Sequence, residues 1–241
     1  MNSPQTQSKT VRDQLLAAMR SGEFAGCDRL PRESVLAEHL GISRTQLRDI
    51  LSLLEREGFI SRLHGVGTVI NHHVLDARTR ADIEIEFLDM IRQNGYEAEV
   101  AFVRFSEETA GKKIAKRLQI PEGTPVIRIA RLCTADGRPA IYCEDVIEKA
   151  LAHGEYTLRD LEQPIFHFLK QFCSVVPYMD LTDVRAVVAD ARLAEIFQIP
   201  TGSPLLNMDE VDYDVNGKPV FCSDEYFADG IFRHTIMRKK L

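Results

Sequence analysis

Arg44 and Arg48 stand four residues apart at the start of a segment that opens Ser43-Arg44-Thr45-Gln46. A guanidinium is a planar fork of donors that matches a guanine edge or a phosphate. On a helix these two would project from one side near its N-terminus, where a recognition helix carries its base-reading side chains. Ser43 and Gln46 have capping-box spacing: the serine hydroxyl accepts the N–H of residue 46, and the Gln46 side chain reaches back. Leu47, Ile50, Leu51 and Leu54 follow at i, i+3, i+4 and i+7, so the opposite side must face a core. A second candidate for chemistry is Arg131. Strand alternation sets it on one face with Ile127, Ile129 and Cys133, where an unpaired charge would be costly. Glu144 on the next strand is one candidate partner, and a ligand anion is another.

The elements around Arg44 and Arg48 form a winged helix-turn-helix. Val11, Leu15 and Ala18 or Met19 give a first helix one apolar stripe, and Pro31 suits the start of a second at Arg32 to His39. Gly41, in Leu40-Gly41-Ile42, supplies the positive φ that two crossing helices demand. After the third helix, Phe59 to Leu63 and Thr68 to Ile70 read as short strands around His64-Gly65-Val66-Gly67, a tight hairpin whose glycines permit reversal. We expect this domain over residues 1–71, with 1–8 a flexible tail, and a polar linker over 72–80. His72-His73 within the linker has no nearby Cys or Asp to complete a metal site.

The chain has 241 residues, 30 Lys+Arg against 36 Asp+Glu, and a formal charge of -6. That is long enough for a domain of about 70 residues and one of about 160. Up to Val74 there are nine bases and eight acids, leaving 21 bases against 28 acids, or -7, in the remainder. An acidic C-terminal part is a poor nonspecific binder of nucleic acid, so any DNA contact must come from a local basic face of the N-terminal part. Cys27, Cys133, Cys143, Cys173 and Cys222 are scattered without CxxC spacing, which argues for reduced thiols rather than a disulfide framework or zinc site. No apolar run approaches a membrane span, and Met1 to Lys9 has no signal-peptide h-region. The expectation is a cytoplasmic protein with no cofactor and no metal.

An internal repeat organises the rest. Leu118-Gln119-Ile120-Pro121-Glu122-Gly123-Thr124-Pro125 matches Phe197-Gln198-Ile199-Pro200-Thr201-Gly202-Ser203-Pro204 at a spacing of 79. Asp136-Gly137-Arg138-Pro139 pairs with Asn216-Gly217-Lys218-Pro219 at a spacing of 80, each a hairpin turn. One half predicts a helix at Thr109 to Leu118 and strands at Val126 to Thr134 and Ala140 to Ile147. Its copy predicts a helix at Asp190 to Phe197 and strands at Leu205 to Asp214 and Val220 to Phe227. Two copies imply one antiparallel sheet of pseudo-twofold halves with helices on a face, an α+β domain over 81–241. Glu210 is the counterpart of Arg131 in the second copy.

The N-terminal block resembles the GntR family of bacterial transcription regulators. The resemblance rests on Leu30-Pro31, Leu36-Ala37-Glu38, Gly41-Ile42-Ser43-Arg44-Thr45, Leu47-Arg48, Leu53 to Gly58 and Gly65-Val66-Gly67-Thr68. By resemblance, Arg32, Ser34, Ser43, Arg44, Thr45, Gln46, Arg48, His64, Gly65 and Gly67 face DNA. The chain departs from the family where Arg32-Glu33-Ser34-Val35 replaces serine-glutamate-arginine-glutamate, and where Val66 replaces a wing cation. The repeat, from about Thr79 to Leu241, resembles the UTRA effector-binding domain of the HutC-like branch. That likeness implies a chorismate-lyase-like fold, a small-molecule effector, a homodimer, and a repressor that grips a near-palindromic DNA operator.

The same resemblance directs attention to Arg131, Glu144, Phe166, Glu210, Phe221, Tyr226 and Phe227 as effector contacts. Where relatives use serine-x-tyrosine, valine-glutamate-tyrosine and tyrosine-arginine-glycine-aspartate, this chain has Pro164-Ile165-Phe166, Val220-Phe221-Cys222 and Tyr226-Phe227-Ala228-Asp229-Gly230. Lost hydroxyl, carboxylate and cationic groups point away from a phosphorylated sugar and toward a less anionic or more apolar effector. An enzyme of the same fold would need a catalytic constellation, and GxSxG, HExxH and P-loop motifs are absent from the sequence. A constitutive DNA-binding protein with a purely dimerising C-terminal domain is the alternative.

Overall fold

The computed structural model describes residues 4–239. The chain divides into two units, Met1–Glu84 with His234–Leu241, and Ile85–Arg233.

In the first unit, α1 (Pro4–Ser21), α2 (Glu33–His39) and α3 (Arg44–Arg56) pack around one core and lead into a hairpin of β1 (Ile60–Leu63) and β2 (Gly67–Ile70). Of the tail expected at 1–8, residues 1–3 lie outside the described residues and the rest belongs to α1. The stripe on α3 is buried at Leu47, Ile50, Leu51 and Leu54, against Leu15 and Met19 of α1 and Leu36 of α2. The Ser43 hydroxyl accepts the Gln46 N–H at 3.1 Å, the hydroxyl half of the capping box. Gly41 turns the chain between α2 and α3 at φ +64°.

The segment over 72–80 is more ordered than its polar composition suggests. It forms α4 (His72–Leu75), whose Val74 and Leu75 are buried in the same core, and β3 (Thr79–Arg80). β3 pairs in parallel with β10 (His234–Thr235), so the end of the chain folds with the N-terminal unit rather than with the sheet before it. In this division Glu84 is the last residue of the first unit before the sheet. Arg80 is only 3% exposed. Its Nε donates to Asp82 at 3.0 Å, and its guanidinium stands 5.2 Å from the centre of the Phe59 ring. A sequence pattern cannot announce such a docking, because the groups around Arg80 are the Glu57 carbonyl at the end of α3, the Phe59 ring just before β1 and its own downstream acid Asp82.

The second unit comprises α5 (Phe87–Gln93), β4 (Ala98–Thr109), α6 (Lys112–Leu118), β5 (Pro125–Ala135), β6 (Arg138–Glu148), α7 (Leu158–Leu161), α8 (Ile165–Phe172), β7 (Met179–Val188), α9 (Ala191–Phe197), β8 (Pro204–Tyr213) and β9 (Pro219–Ala228). Its six-stranded sheet has the order β4-β5-β6-β9-β8-β7, and every pairing is antiparallel. The two halves, β4-α6-β5-β6 and β7-α9-β8-β9, meet at β6 and β9.

Repeat identity extends to backbone detail. α6 and α9 both end on a glutamine in the left-handed region, Gln119 at φ 54° and Gln198 at φ 55°. The elbows close alike, with Gly123 N–H donating to Ala110 and Gly202 N–H to Ala189, both at 2.8 Å. Sequence reading anticipated the hairpins β5-β6 and β8-β9 but missed β4 and β7. These are the sheet edges, and their charges, among them Glu99, Arg104, Asp180 and Arg185, protect exposed edges while hiding the strand pattern.

Helices cover both faces of the sheet rather than one. α6 and α9 pack Ile114, Ala115, Leu118, Leu193, Ala194 and Phe197 against Val126, Val146, Leu132 and Tyr142. On the other face, α8 packs Phe168 and Leu169 against Ile127, Ile129 and Phe221, and α5 packs Met90 and Ile91 against Ile141 and Phe227.

Gly58 adopts φ +82°, and a Cβ built there would lie 2.1 Å from the Met237 sulfur. Gly58→Ala should therefore lose about 1 to 3 kcal/mol, from backbone strain plus overpacking. Urea denaturation of Gly58→Ala, Met237→Ala and the double variant checks this. The cycle should show coupling, because Met237→Ala relieves the clash but not the strain; strictly additive effects would mean that the C-terminal segment does not seat on Gly58.

Candidate functional site

Two surfaces carry the candidate residues, one in each unit. In the first, the buried stripe of α3 forces its other side outward. Arg44, Thr45 and Arg48 are exposed there, as are Ser43 at the cap and Arg32 and Ser34 near the start of α2. Gln46 is half-buried beside the cap. The Arg48 side chain is 67% exposed, and its Nε donates to Glu33 at 2.8 Å. That hydrogen bond and the Glu33 charge raise the arginine's pKa further. Glu33, a residue that sequence reading noted but did not assign, thus fixes the direction in which Arg48 points.

The hairpin stands beside α3, with His64, Gly65 and Gly67 all exposed at its tip. Gly65 and Gly67 take φ +76° and +106° with open space where a Cβ would be, so the turn needs glycine for backbone conformation. Two arginines brace the wing. Arg29 donates to the Val66 carbonyl at 3.1 Å, and Arg62 ties β1 to Glu55 of α3 at 2.8 Å. The Arg29 contact was not legible in sequence, since it joins residues 37 apart.

In the second unit, Arg131 lies on the α5/α8 face with its side chain 6% exposed. Its partner is Asp145, at 2.7 Å, not Glu144. The register explains this correction. Arg131 sits opposite Cys143, so the odd-numbered residues of β6 share its face while Glu144 points through to the other. There Glu144 accepts from the Tyr142 hydroxyl at 2.6 Å and from Arg128 at 3.2 Å, and pairs with Arg192 of α9. Tyr226 stacks near Tyr142 on that same face. Glu144 and Tyr226 therefore cannot share a pocket with Arg131.

The aromatic candidates separate likewise. Phe166 meets Phe221 edge-on beneath α8, whereas Phe227 packs between Phe87 and Phe232 at the α5 corner. Phe221 and Phe227 are fully buried core residues. Glu210 stays with Arg131 on the α5/α8 face. Reading across the sheet from β5 to β7, one row runs Ile129, Asp145, Ser223, Glu210, Thr182, and the next runs Arg131, Cys143, Glu225, Met208, Val184. Glu210 accepts from the Thr182 hydroxyl at 3.1 Å. Burial, followed by the Asp180 charge, pushes its pKa up to about 7. Asp145, Ser223, Thr182 and Asp180 were missed by sequence reading. Alternation marks them only once the register of β6 and β9 is known.

Arg117 of α6 supports this centre from the far face. It pairs with Asp209 at 2.8 Å and Asp224 at 3.1 Å, and donates to the carbonyls of Glu210 and Ser223 at 2.8 and 2.7 Å. The backbones carrying two polar side chains of one face are thus clamped by a cation on the other. Its repeat counterpart is Ile196, so only one half is braced in this way.

Residues 93–233 match the family model of the UTRA domain, and residues 7–70 match that of the bacterial regulatory proteins, gntR family. The uncharacterized HTH-type transcriptional regulator RB1450 of Rhizobium meliloti (strain 1021) is 25% identical over 230 residues, 91% of this chain and 90% of its own. The histidine utilization repressor of Pseudomonas putida is 26% identical over 199 residues, 81% of this chain and 77% of its own. The crystal structure of the possible transcriptional regulator YydK from Bacillus subtilis subsp. subtilis str. 168 shares the fold. Its TM-score is 0.77 at 16% identity, over 97% of this chain and 99% of that one.

Raising the Glu210 pKa means that the folded state holds its proton more tightly than the unfolded chain, so stability falls as pH rises from the usual 4.5 through about 7. Below that window the carboxyl is protonated in both states and contributes nothing. Glu210→Gln should therefore unfold at higher urea than the parent at pH 8, by about 1 to 3 kcal/mol, with little difference at low pH. Equal gaps between parent and variant at both ends of the range would reject a titrating Glu210.

Proposed function

Since the chain belongs to the gntR family of bacterial regulatory proteins and carries a UTRA domain, we propose that it is a homodimeric repressor. Its two recognition helices read a near-palindromic operator, and a small effector on the α5/α8 face of the sheet controls its grip. The coarser statement is established by membership: it is a transcription regulator and not an enzyme, with DNA binding in the N-terminal unit and effector binding in the C-terminal one. The observation that carries the finer reading is the exposure of Arg44, Thr45 and Arg48 on the side of α3 opposite its buried stripe. With Nε held by Glu33, Arg48 keeps two Nη groups for a base edge, and the wing glycines offer backbone N–H groups to phosphate.

The dimer is supported by β7. It is an edge strand bearing exposed Met179, Leu181, Val184 and Val188, the kind of surface that a second copy covers in an isologous contact. Two symmetric helices then read two like half-sites about one DNA turn apart. With α4 packed into the N-terminal core, the coupling between units is assigned to the residues around the Glu84/Ile85 boundary rather than to the whole of 72–80.

Arg48→Ala should weaken specific operator binding by about 1 to 3 kcal/mol and relax preference at one base position, with the fold unchanged. Fluorescence anisotropy against a set of operator variants measures this; a uniform loss across all sequences would assign the arginine to phosphate.

Effector control follows from linkage. A tenfold loss of DNA affinity corresponds to about 1.4 kcal/mol of coupling, and operator DNA must weaken the effector by the same factor. Calorimetric titration of effector into protein, with and without saturating operator duplex, tests it. Two protomers per duplex and unequal effector affinities are expected. Identical affinities would leave a constitutive DNA-binding protein.

A further inference from the structure

The two edges of the six-stranded sheet are finished differently. On β4, Arg128 and Lys149 hold Glu108 and Glu107, and Arg104 lies over the Phe102 ring. Among the described residues, this strand exposes no large apolar side chain. On β7, Met179, Leu181, Val184 and Val188 are exposed, with Val176 and Tyr178 just before them. An edge that shows unpaired N–H and C=O groups beside exposed apolar side chains invites another strand.

Backbone parity restricts how that strand can pair. The Ala189 N–H donates to Ser203 at 2.8 Å, and the β7–β8 register runs on from there without a shift. In an antiparallel ladder alternate residues turn both backbone groups toward the same neighbour. Odd-numbered residues of β7 therefore bond to β8, while Asp180, Thr182, Val184, Ala186 and Val188 turn their backbone groups to the open edge. A second copy related by a twofold axis pairs antiparallel with this edge. Since even residues must meet even ones there, the axis has to pass through a residue of β7 and not between two.

Charge then selects the residue. Asp183 and Arg185 both lie on the α6/α9 face, 3.3 Å apart within one copy. An axis at Asp183 sets it against the partner's Asp183, and an axis at Arg185 sets two guanidinium groups face to face; both are unfavourable. Axes at Thr182 or Ala186 leave Asp183 and Arg185 opposite apolar side chains, and axes farther out shorten the ladder. With the axis at Val184, Asp183 faces the partner's Arg185 and Arg185 faces the partner's Asp183, so four charges alternate in sign around the axis. Leu181 then faces the partner's Val187, and Thr182 the partner's Ala186.

We propose that two copies join through β7, antiparallel about Val184, so that their sheets run on as one. This rests on the homodimeric reading and names the register in which it is realised. It also accounts for the mixed character of β7: its apolar side chains favour cover, while Asp183 and Arg185 admit one register. Thr182, whose hydroxyl donates to Glu210 at 3.1 Å, stands at the seam, so the polar row of each copy ends on the strand that holds the partner.

Sedimentation equilibrium of the full-length protein tests the charges. Asp183→Arg or Arg185→Asp alone should weaken the dimer by about tenfold at low salt, and by less at high salt. The two changes together should restore it, and an equimolar mixture of the two single variants should prefer the mixed dimer. Both side chains are exposed, at 81% and 53%, so neither change burdens the fold of one copy. Disulfide trapping tests the register independently. Oxidised Val184→Cys should link two copies above the background of the parent, because residues opposed in a bonded pair have Cα atoms about 5.5 Å apart. Thr182→Cys and Ala186→Cys should not, since each would lie roughly 13 Å from its own equivalent. A dimer indifferent to the charge changes, or linked at another position, rejects the β7 register and leaves the homodimer standing. Protein that is monomeric both alone and on operator duplex rejects the homodimeric reading itself.

Discussion

Where helices cover both faces of a sheet, the inner strands leave their side chains little solvent to escape into, so the parity of each residue along its strand decides which neighbours it must satisfy. This constraint organises the C-terminal unit. Apart from Ala140, beside the bulge at Cys133/Thr134, odd-numbered core residues of β5 and β6 collect under α5 and α8, and even-numbered ones under α6 and α9. Each face then sorts its charges separately. Arg131 meets Asp145 on one side, while Glu144 joins Tyr142, Arg128 and Arg192 on the other. A shift of one residue in register would exchange these sets and strand buried charges without partners.

Buried charge also gives the sheet its asymmetry. The repeat would favour equivalent halves, and the matching elbows and glutamine caps show how closely the backbones agree. Side chains break the symmetry: Arg131 in one half corresponds to Glu210 in the other, and Arg117 to Ile196. Hence one end of the α5/α8 face holds a neutralised ion pair and the other a cluster of acids. Arg117 contributes from behind, because its contacts to the Glu210 and Ser223 carbonyls stiffen the two strands that carry the cluster. Clamping by backbone holds these polar groups apart rather than allowing them to collapse on one another.

The N-terminal unit meets a simpler demand. Its core stripe fixes the rotation of α3, the Ser43 cap fixes where the helix starts, and Glu33 fixes where Arg48 points. The wing is held by Arg29 and Arg62 through contacts that leave its tip exposed. Rigid placement of a few donors is what groove recognition requires, since base edges are distinguished by hydrogen-bond geometry.

Local pattern by itself determined a good deal. The α3 stripe, its serine cap, the Gly41 turn, the glycine wing and the two repeated hairpins all rest on interactions within a few residues, and each stands in the structure where the sequence placed it. Tertiary structure alone decided the rest. Edge strands β4 and β7 escaped notice because exposed charges mask their alternation. The docking of Arg80 and of the C-terminal segment depends on partners scattered along the chain. Asp145 in place of Glu144 depends on the β5–β6 register, shifted by a bulge at Cys133/Thr134, and the row Asp145-Ser223-Glu210-Thr182 depends on the register between strands that loops of different length connect. Sequence lists which side chains are available to a face. Only strand pairing decides which of them meet, because parity is local while register is set by the whole sheet.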